Sequence, residues 1–295
     1  MKRIKFPPFI DMIIVDDAST IRELANDTRI DRSFKLRPLI NGAILKRALV
    51  NLSYNGAHFP HMTPKNDAQR SIRQNDLWNL YNARSIVMAS GPGELEPLAQ
   101  WIREENNDQE SGVLVQQIFG QFFNPGFHAT AESWKAALIL REDANSMNLL
   151  KMIWWQFLGK ARNAKKLLGS MVNDDIYAMH AIAVASHNMV AAVHILKNLY
   201  ADKVSRNNTT PEQAVQLSLS PPPRVFRQAL EKGAAGGCPF SKNTLLLLRL
   251  KDADKNKKAN DLIFMKDSWS RCPAEQWVPA VIAGTWKRVM ANATE

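Results

Sequence analysis

From Val113 to Tyr200 the chain reads almost as one uninterrupted helical pattern, broken only at "NPGF", residues 124–127. Apolar side chains recur at helical spacing in "ESWKAALIL" and in "NLLKMIWWQFLGKARNAKKLLGSMV". Consecutive amphipathic helices must bury their stripes against one another, so this stretch predicts a helical layer. Trp154 and Trp155 lie within it and are expected in the core.

Small β elements are expected near each end. "DMIIVDDASTIRELANDTRIDRSF" predicts a strand from Met12 to Val15, then a helix capped by Asp17 or Ser19 with Ile21, Leu24 and Ala25 as its apolar stripe. A second helical pattern covers residues 35–50 around Leu39, Ile40, Ile44, Leu45 and Leu49. Turn chemistry in residues 55–70 leads into a helix through Trp78 and Leu80. "GPGELEPLAQWIREE" begins another helix, which ends in the polar loop "ENNDQESG". Beyond Tyr200, residues 201–213 read as a polar connection. "PPPRVFRQ" cannot continue a helix, because proline lacks the N–H and restricts the residue before it. "NTLLLLRL" (243–250) fits a buried strand or a helical turn. No repeat of 20 to 50 residues is present. The expected fold class is mainly α with small β elements, in a single domain over residues 1–295.

The net charge is +10, which attracts acidic partners: nucleic acid, anionic lipid or an acidic protein. The basic residues are spread along the chain. The densest run, "KDADKNKKAN" (251–260), is mixed with acids and reads as a solvated loop, so nucleic acid is not expected. Pro7, Pro8 and Asp11 interrupt the N-terminal segment, which makes a poor signal peptide. No stretch approaches the 18 apolar residues of a membrane span. Two cysteines in 295 residues do not make a disulfide scaffold. Free or ligating thiols in a reducing cytoplasm are the simpler expectation.

Four segments then follow in order. The first is a long helical pattern, "DDIYAMHAIAVASHNMVAAVHILKNLY" (174–200), with Ala181, Ala183, Ala185 and Ser186 clustered next to His187 and Asn188. Small residues there suit either a flat ligand or a tightly packed helix. Next comes "LSLSPPPRVFRQ", an apolar stretch, a proline run and two arginines. The third is "GGCPFSKNTLLLL", a glycine turn and then Lys-Asn-Thr before an apolar run. The last is "WSRCPAEQWVPAVIAGTWKRVM", in which Cys272 and Pro273 lie just ahead of a helical pattern containing Val278, Ile282 and Trp286. Cys272 is either a small buried apolar residue or a thiolate ligand. Cys238 carries the same Cys-Pro dipeptide with no helix behind it.

This order resembles the C-terminal half of the cytochrome P-450 superfamily, the heme-thiolate oxygenases, and "IIVDDASTIRELANDTRIDRSF" resembles that family's first strand and helix. The resemblance implies a truncated cytochrome P-450-like helical architecture and a heme cofactor. Cys272 would then be the iron ligand. Arg227 and Arg271 would hold the propionates, joined by Arg70 or Arg73 from the early helix. Ser186, His187 and Asn188 would face oxygen or peroxide. "LSLSPP" stands where the family has "LRxxPP", and "KNT" where it has "kGT". A helix N-terminus behind Cys272 would favour its thiolate.

Several family features are missing. Val215 and Ser218 occupy the places of the Glu-x-x-Arg pair that braces the cysteine loop. Met265, Ser268, Ser270, Cys272 and Ala274 stand in the Phe-x-x-Gly-x-Arg-x-Cys-x-Gly signature, with the arginine displaced to Arg271. The acid–alcohol pair of the distal helix is absent. His180, His187 and His194 recur every seven residues, or about 10.5 Å along a helix, too far apart for neighbours to share one ion. Asp16-Asp17 and Asp174-Asp175 are expected to cap helices.

The expected function is a divergent heme-thiolate oxidoreductase, a monooxygenase or peroxide-dependent oxygenase, acting on a hydrophobic small molecule. An acidic redox protein is the expected partner. The alternative is a non-catalytic α-helical interaction protein with a basic surface that has lost heme.

Overall fold

The computed structural model describes residues 1–90, 93–104, 108–145, 154–155, 157–255 and 260–291. The apolar pattern over 146–153 and residues 256–259 of the charged run 251–260 lie outside these residues. The chain forms two compact units: residues 1–52, 61–78 and 220–275, and residues 53–60, 79–219 and 276–295.

The first unit is built on a five-stranded sheet, β1 (Lys2–Phe6), β2 (Ile10–Val15), β9 (Leu245–Leu248), β6 (Val225–Ala229) and β3 (Ile30–Asp31), in that spatial order. All neighbours are antiparallel except β2 and β9, which pair in parallel from Met12↔Leu245 to Val15↔Leu248. The run "LLLL" is thus a central strand, buried on both faces, as an unalternating apolar run requires. Leu246 and Leu248 join Ile13, Val15, Ile21, Leu24 and Ile30 on one face. Leu245 and Leu247 join Met12, Ile14 and Leu45 on the other.

One helix packs on each face, α1 (Ala18–Asn26) on the Leu246 side and α2 (Leu39–Asn51) on the Leu245 side. Asp17 caps α1 by accepting from the Thr20 N–H at 2.8 Å, and the expected stripe Ile21, Leu24 and Ala25 is buried. Asp11, in β2, pairs with Arg3 and accepts from the Thr244 hydroxyl at 2.7 Å, which ties the "KNT" turn to the sheet. Asn243 in that turn has φ 69°, a left-handed conformation asparagine tolerates better than most residues. Where the resemblance places glycine, asparagine therefore serves. The hairpin of β7 (Gly233–Ala235) and β8 (Cys238–Phe240) holds Cys238 in a strand, with no helix behind it.

The helix α3 (Ala68–Ser90) begins in the first unit and runs into the second. Among its described residues the second unit is helical apart from the short ladder of β4 (Ser53–Tyr54) and β5 (Ala57–His58). Its helices are α4 (Glu96–Arg103), α5 (Asp108–Phe123), α6 (Ala131–Asn145), α7 (Lys160–Met171), α8 (Ile176–Ala201), α9 (Lys203–Asn208), α10 (Pro211–Ser218) and the C-terminal helix Trp277–Ala291. α8 is long and apolar enough, by length and composition, to cross a membrane. Within its unit it packs against α4, α5 and α10. Two glycines permit close packing: a Cβ on Gly112 would fall 2.0 Å from Trp134 of α6, and one on Gly120 would fall 2.0 Å from Phe127 in the loop between α5 and α6.

Two expectations are corrected. Residues 201–213 are not a plain polar connection: Asp202 caps α9, and Thr210 with Gln213 forms a capping box on α10. Such polar residues read as loop when their side-chain bonds to backbone are not foreseen. Trp154 is not core. It is 59% exposed and stacks on Phe157, itself 81% exposed, while Trp155 sits under the Lys160 ammonium. Helical spacing identifies a stripe but not what covers it.

Asp17→Ala should cost about 1 kcal/mol of stability by urea unfolding at neutral pH, the usual cost of a lost N-cap. The backbone N–H of Thr20 holds the Asp17 carboxyl down at about 2, so the native state gains from the cap above the ordinary carboxylate range. The gap between wild type and variant should close as pH falls from about 4 through 2.

Candidate functional site

Cys272 lies in a loop of the first unit that leaves α12 (Asp261–Phe264; α11, Leu250–Ala253, precedes it) through Met265 in a left-handed conformation. The last helix, α13 (Trp277–Ala291), starts five residues after the cysteine, and a 3₁₀ turn, Pro273–Glu275, intervenes. Cys272 therefore does not sit at the start of α13, as the sequence suggested. The backbone N–H of Ala274 favours its thiolate instead, but burial and the neighbouring Glu275 carboxylate push the thiol up overall. The side chain is half-buried and unpaired with Cys238.

The loop is held from several sides within its unit. The Cys272 N–H donates to Phe264 O at 2.8 Å. Arg70 and Gln74, one turn apart on α3, donate at 2.7 Å to the carbonyls of Trp269 and Arg271. Arg227, on β6, donates to the Ser270 hydroxyl at 2.8 Å and to Phe226 O at 2.8 Å. Side chains from α3 and β6 thus brace the loop, a role the resemblance gives to a Glu-x-x-Arg pair. Ser218, in the arginine's place, turns back on Val215 O of its own helix.

Three guanidinium groups surround one indole here. Arg32, Arg70 and Arg227 lie 4.9, 4.4 and 5.3 Å from the Trp269 ring. Arg32 and Arg227 are 6% and 2% exposed. Burial, with the charge of Arg70, lowers Arg227 to about 10, and burial together with the charges of Arg227 and Arg70 lowers Arg32 well below its ordinary value. The Nε atoms of Arg32 and Arg227 and the Trp269 Nε1 are buried with no hydrogen-bond partner. Arg271 is placed differently: it pairs with Glu275 and stacks 4.1 Å over Trp78. Arg227, Arg70, Arg271 and Cys272 thus all belong to one unit. Arg32, Gln74 and Trp269 also converge there, though no motif in the sequence marks them. Trp269 lies within the "DSWSRC" stretch, and its spacing from the cysteine was the one available cue.

The distal candidates belong to the second unit. In α8, Asp175 caps the first turn and residues Ala181–Ala185 form a π turn, a feature frequent at functional sites. Within the turn the Ile182 carbonyl accepts from two side-chain donors. Ser186 donates to it at 3.0 Å and Gln116 from α5 at 3.1 Å. The Gln116 Oε1 accepts in turn from the Ser133 hydroxyl. Ser186 is fully buried in this role. His187 is also buried, against the Trp134 ring at 4.8 Å, with Nε2 3.2 Å from Ala137 O. Asn188 is exposed. His180 meets Phe59, and His194 meets Ser111 and Trp101, so the three histidines have separate partners. Gln116 was not foreseen, because a lone glutamine in a helical pattern carries no signal until its partner carbonyl is known.

Burial, with a contribution from the Arg141 charge, lowers His187 to about 4. A histidine kept neutral in the native state stabilises fully above its unfolded value near 6.5. That contribution falls away as pH drops from 6.5 to 4. The loss should reach about 3 kcal/mol by pH 4 in chemical unfolding, and His187→Leu should flatten this part of the profile.

No protein-family profile matches the chain, and no curated protein matches it by sequence. Solved structures do match. A variant of cytochrome P450 OleT in complex with arachidonic acid is similar with TM-score 0.64 at 11% identity, over 94% of this chain and 80% of that one. The cytochrome P450 enzyme CxnD, for C–S bond formation in chuangxinmycin biosynthesis, gives 0.63 at 9% identity, over 95% and 80%. P450 RauA, complexed with a biosynthetic intermediate of aurachin RE, gives 0.59 at 10% identity, over 95% and 83%. A mainly helical chain with small sheets, this protein has the cytochrome P450 fold.

Proposed function

We propose that the chain is a divergent heme-thiolate oxidoreductase acting on an apolar small molecule. The observation that carries this reading is the loop over residues 264–275, held around a single thiol by Arg70, Gln74 and Arg227. The residues present fit a heme. Cys272 offers sulfur to iron, with the Ala274 N–H turned to it, and Arg227 keeps a buried Nε without a partner for a propionate. Arg70 adds positive charge beside it, and Arg271 would reach a propionate by exchanging Glu275 for it. When bound, heme supplies redox iron whose thiolate ligand favours O–O cleavage.

The protein's own part is to orient and to exclude water. On α8 the π turn sets the pitch at which the following residues leave the helix. Ser186 and His187 fix that turn from inside, and Asn188 is the exposed amide. Asn188 would orient a peroxide through a donated hydrogen bond, which suits a segment lacking the acid–alcohol pair for delivering protons to dioxygen. The arachidonic acid held by the OleT variant is a molecule of the proposed apolar substrate class. A net charge of +10 suits an acidic redox protein as a partner in the cytoplasm.

Purified protein reconstituted with hemin should show a thiolate-type carbon monoxide difference spectrum. Cys272→Ala should abolish it and Cys238→Ala should leave it. A protein that takes up no hemin would instead be the non-catalytic interaction protein.

Asn188→Ala should lower peroxide-supported turnover about tenfold or more while heme content stays unchanged, as expected for a lost orienting donor. Efficient turnover with dioxygen and a reductase, indifferent to Asn188, would overturn the peroxide assignment.

A further inference from the structure

The family resemblance supplies Arg227, Arg271 and Arg70 as carboxylate anchors and is silent about Arg32. Arg32 directly follows β3, which is itself paired to the strand carrying Arg227. Its guanidinium makes no hydrogen bond among the described residues, and its Nε is buried without a partner. Arg227, by contrast, has both terminal nitrogens committed, to Phe226 O and to the Ser270 hydroxyl, and only Nε left over. Arg271 is held by Glu275. The uncommitted fork in this cluster is therefore that of Arg32.

Among the described residues the cluster has only a partial counter-charge. The carboxylate whose charge reaches both Arg32 and Arg227 is Asp31. Its oxygens already accept from the backbone N–H groups of Arg32 and Lys65 and from the Ser33 hydroxyl. No carboxylate of the described residues lies in ion-pair contact with Arg32 or Arg227. Stacking on an indole offsets only part of the cost of burying a guanidinium, and like charges around one ring repel. Native interiors leave few buried polar groups unsatisfied, so three orphaned N–H donors around Trp269 call for an acceptor.

We propose that Arg32, Arg227 and the Trp269 Nε1–H form a receptor for two neighbouring carboxylates of one molecule, with Arg32 as its principal anchor. Arg32 has a full fork to offer one carboxylate, and the Nε of Arg227 with the indole N–H can meet a second. The occupant that the heme-thiolate proposal supplies is the propionate pair of a porphyrin, so the occupant rests on that proposal while the receptor does not. By itself the cluster repels itself, with three guanidinium groups around one ring. Arg32 then costs the ligand-free protein stability and returns it on binding.

The test uses full-length protein purified free of heme. The probes are metal-free protoporphyrin IX, which carries both carboxylates and no iron, its dimethyl ester, and hemin. Porphyrin fluorescence titration and the melting temperature are the readouts. Arg32→Gln should weaken binding of the diacid about tenfold or more, the scale of one charge-assisted contact. It should leave the ester's affinity unchanged and raise the melting temperature of the ligand-free protein. Arg32→Lys, which keeps the charge and loses the fork, should fall between wild type and Arg32→Gln for the diacid. Undiminished diacid binding by Arg32→Gln would overturn the proposal, as would equal loss of diacid and ester with a lowered melting temperature. A thiolate spectrum from hemin with unaltered affinity in Arg32→Gln would refute the receptor and leave the heme-thiolate reading standing. Arg32-dependent diacid binding with no thiolate spectrum from hemin would do the reverse.

Discussion

The parallel pairing of β2 with β9 sets everything else in the first unit. It joins residues 12–15 to residues 245–248 across nearly the whole sequence. A parallel pair cannot be closed by a tight turn, so the intervening chain must travel away and return. Once β9 is fixed, its antiparallel partner β6 follows, and with β6 comes Arg227. β3 then pairs on the far side of β6 and brings Arg32 beside it. Two arginines nearly two hundred residues apart thus come to share one indole through strand order alone.

The loop that carries Cys272 shows how one electrostatic solution replaces another. A buried carboxylate–arginine pair costs desolvation on both sides and gains it back only with good geometry. Here the bracing uses arginine and glutamine donors on backbone carbonyls, which need no buried acid. The consequence is a surplus of buried positive charge with Asp31 as its partial balance. The proposed carboxylate ligand would complete that balance, and would link the bracing of the loop to binding.

The second unit solves a different problem. A π turn loosens the regular ladder inside a long helix, and side-chain donors tie it down. Ser186 and Gln116 both meet Ile182 O, and Ser133 holds the glutamine in place. His187 stays neutral against Trp134 and contributes packing rather than charge. The residues fixing the shape of α8 are therefore buried and polar, while Asn188 next to them stays exposed.

Much of the fold was legible from local rules. The strand at Met12–Val15, its helix with an Asp17 cap, the long helix over residues 174–200 and the role of Asp175 follow from periodicity and capping, which act within a few residues. The order of "SPPP", "KNT" and Cys272 carried the resemblance, because those segments serve turns and a loop with narrow backbone demands. The sequence did not tell that Trp154 is uncovered, that residues 203–208 and 211–213 are helical, or that Cys272 precedes a 3₁₀ turn instead of α13. Nor did it mark Arg32, Trp269 or Gln116. Periodicity and capping are fixed by neighbours along the chain. Whether a buried charge or carbonyl finds a partner depends on strand order and helix packing, and these are decided only when distant segments meet.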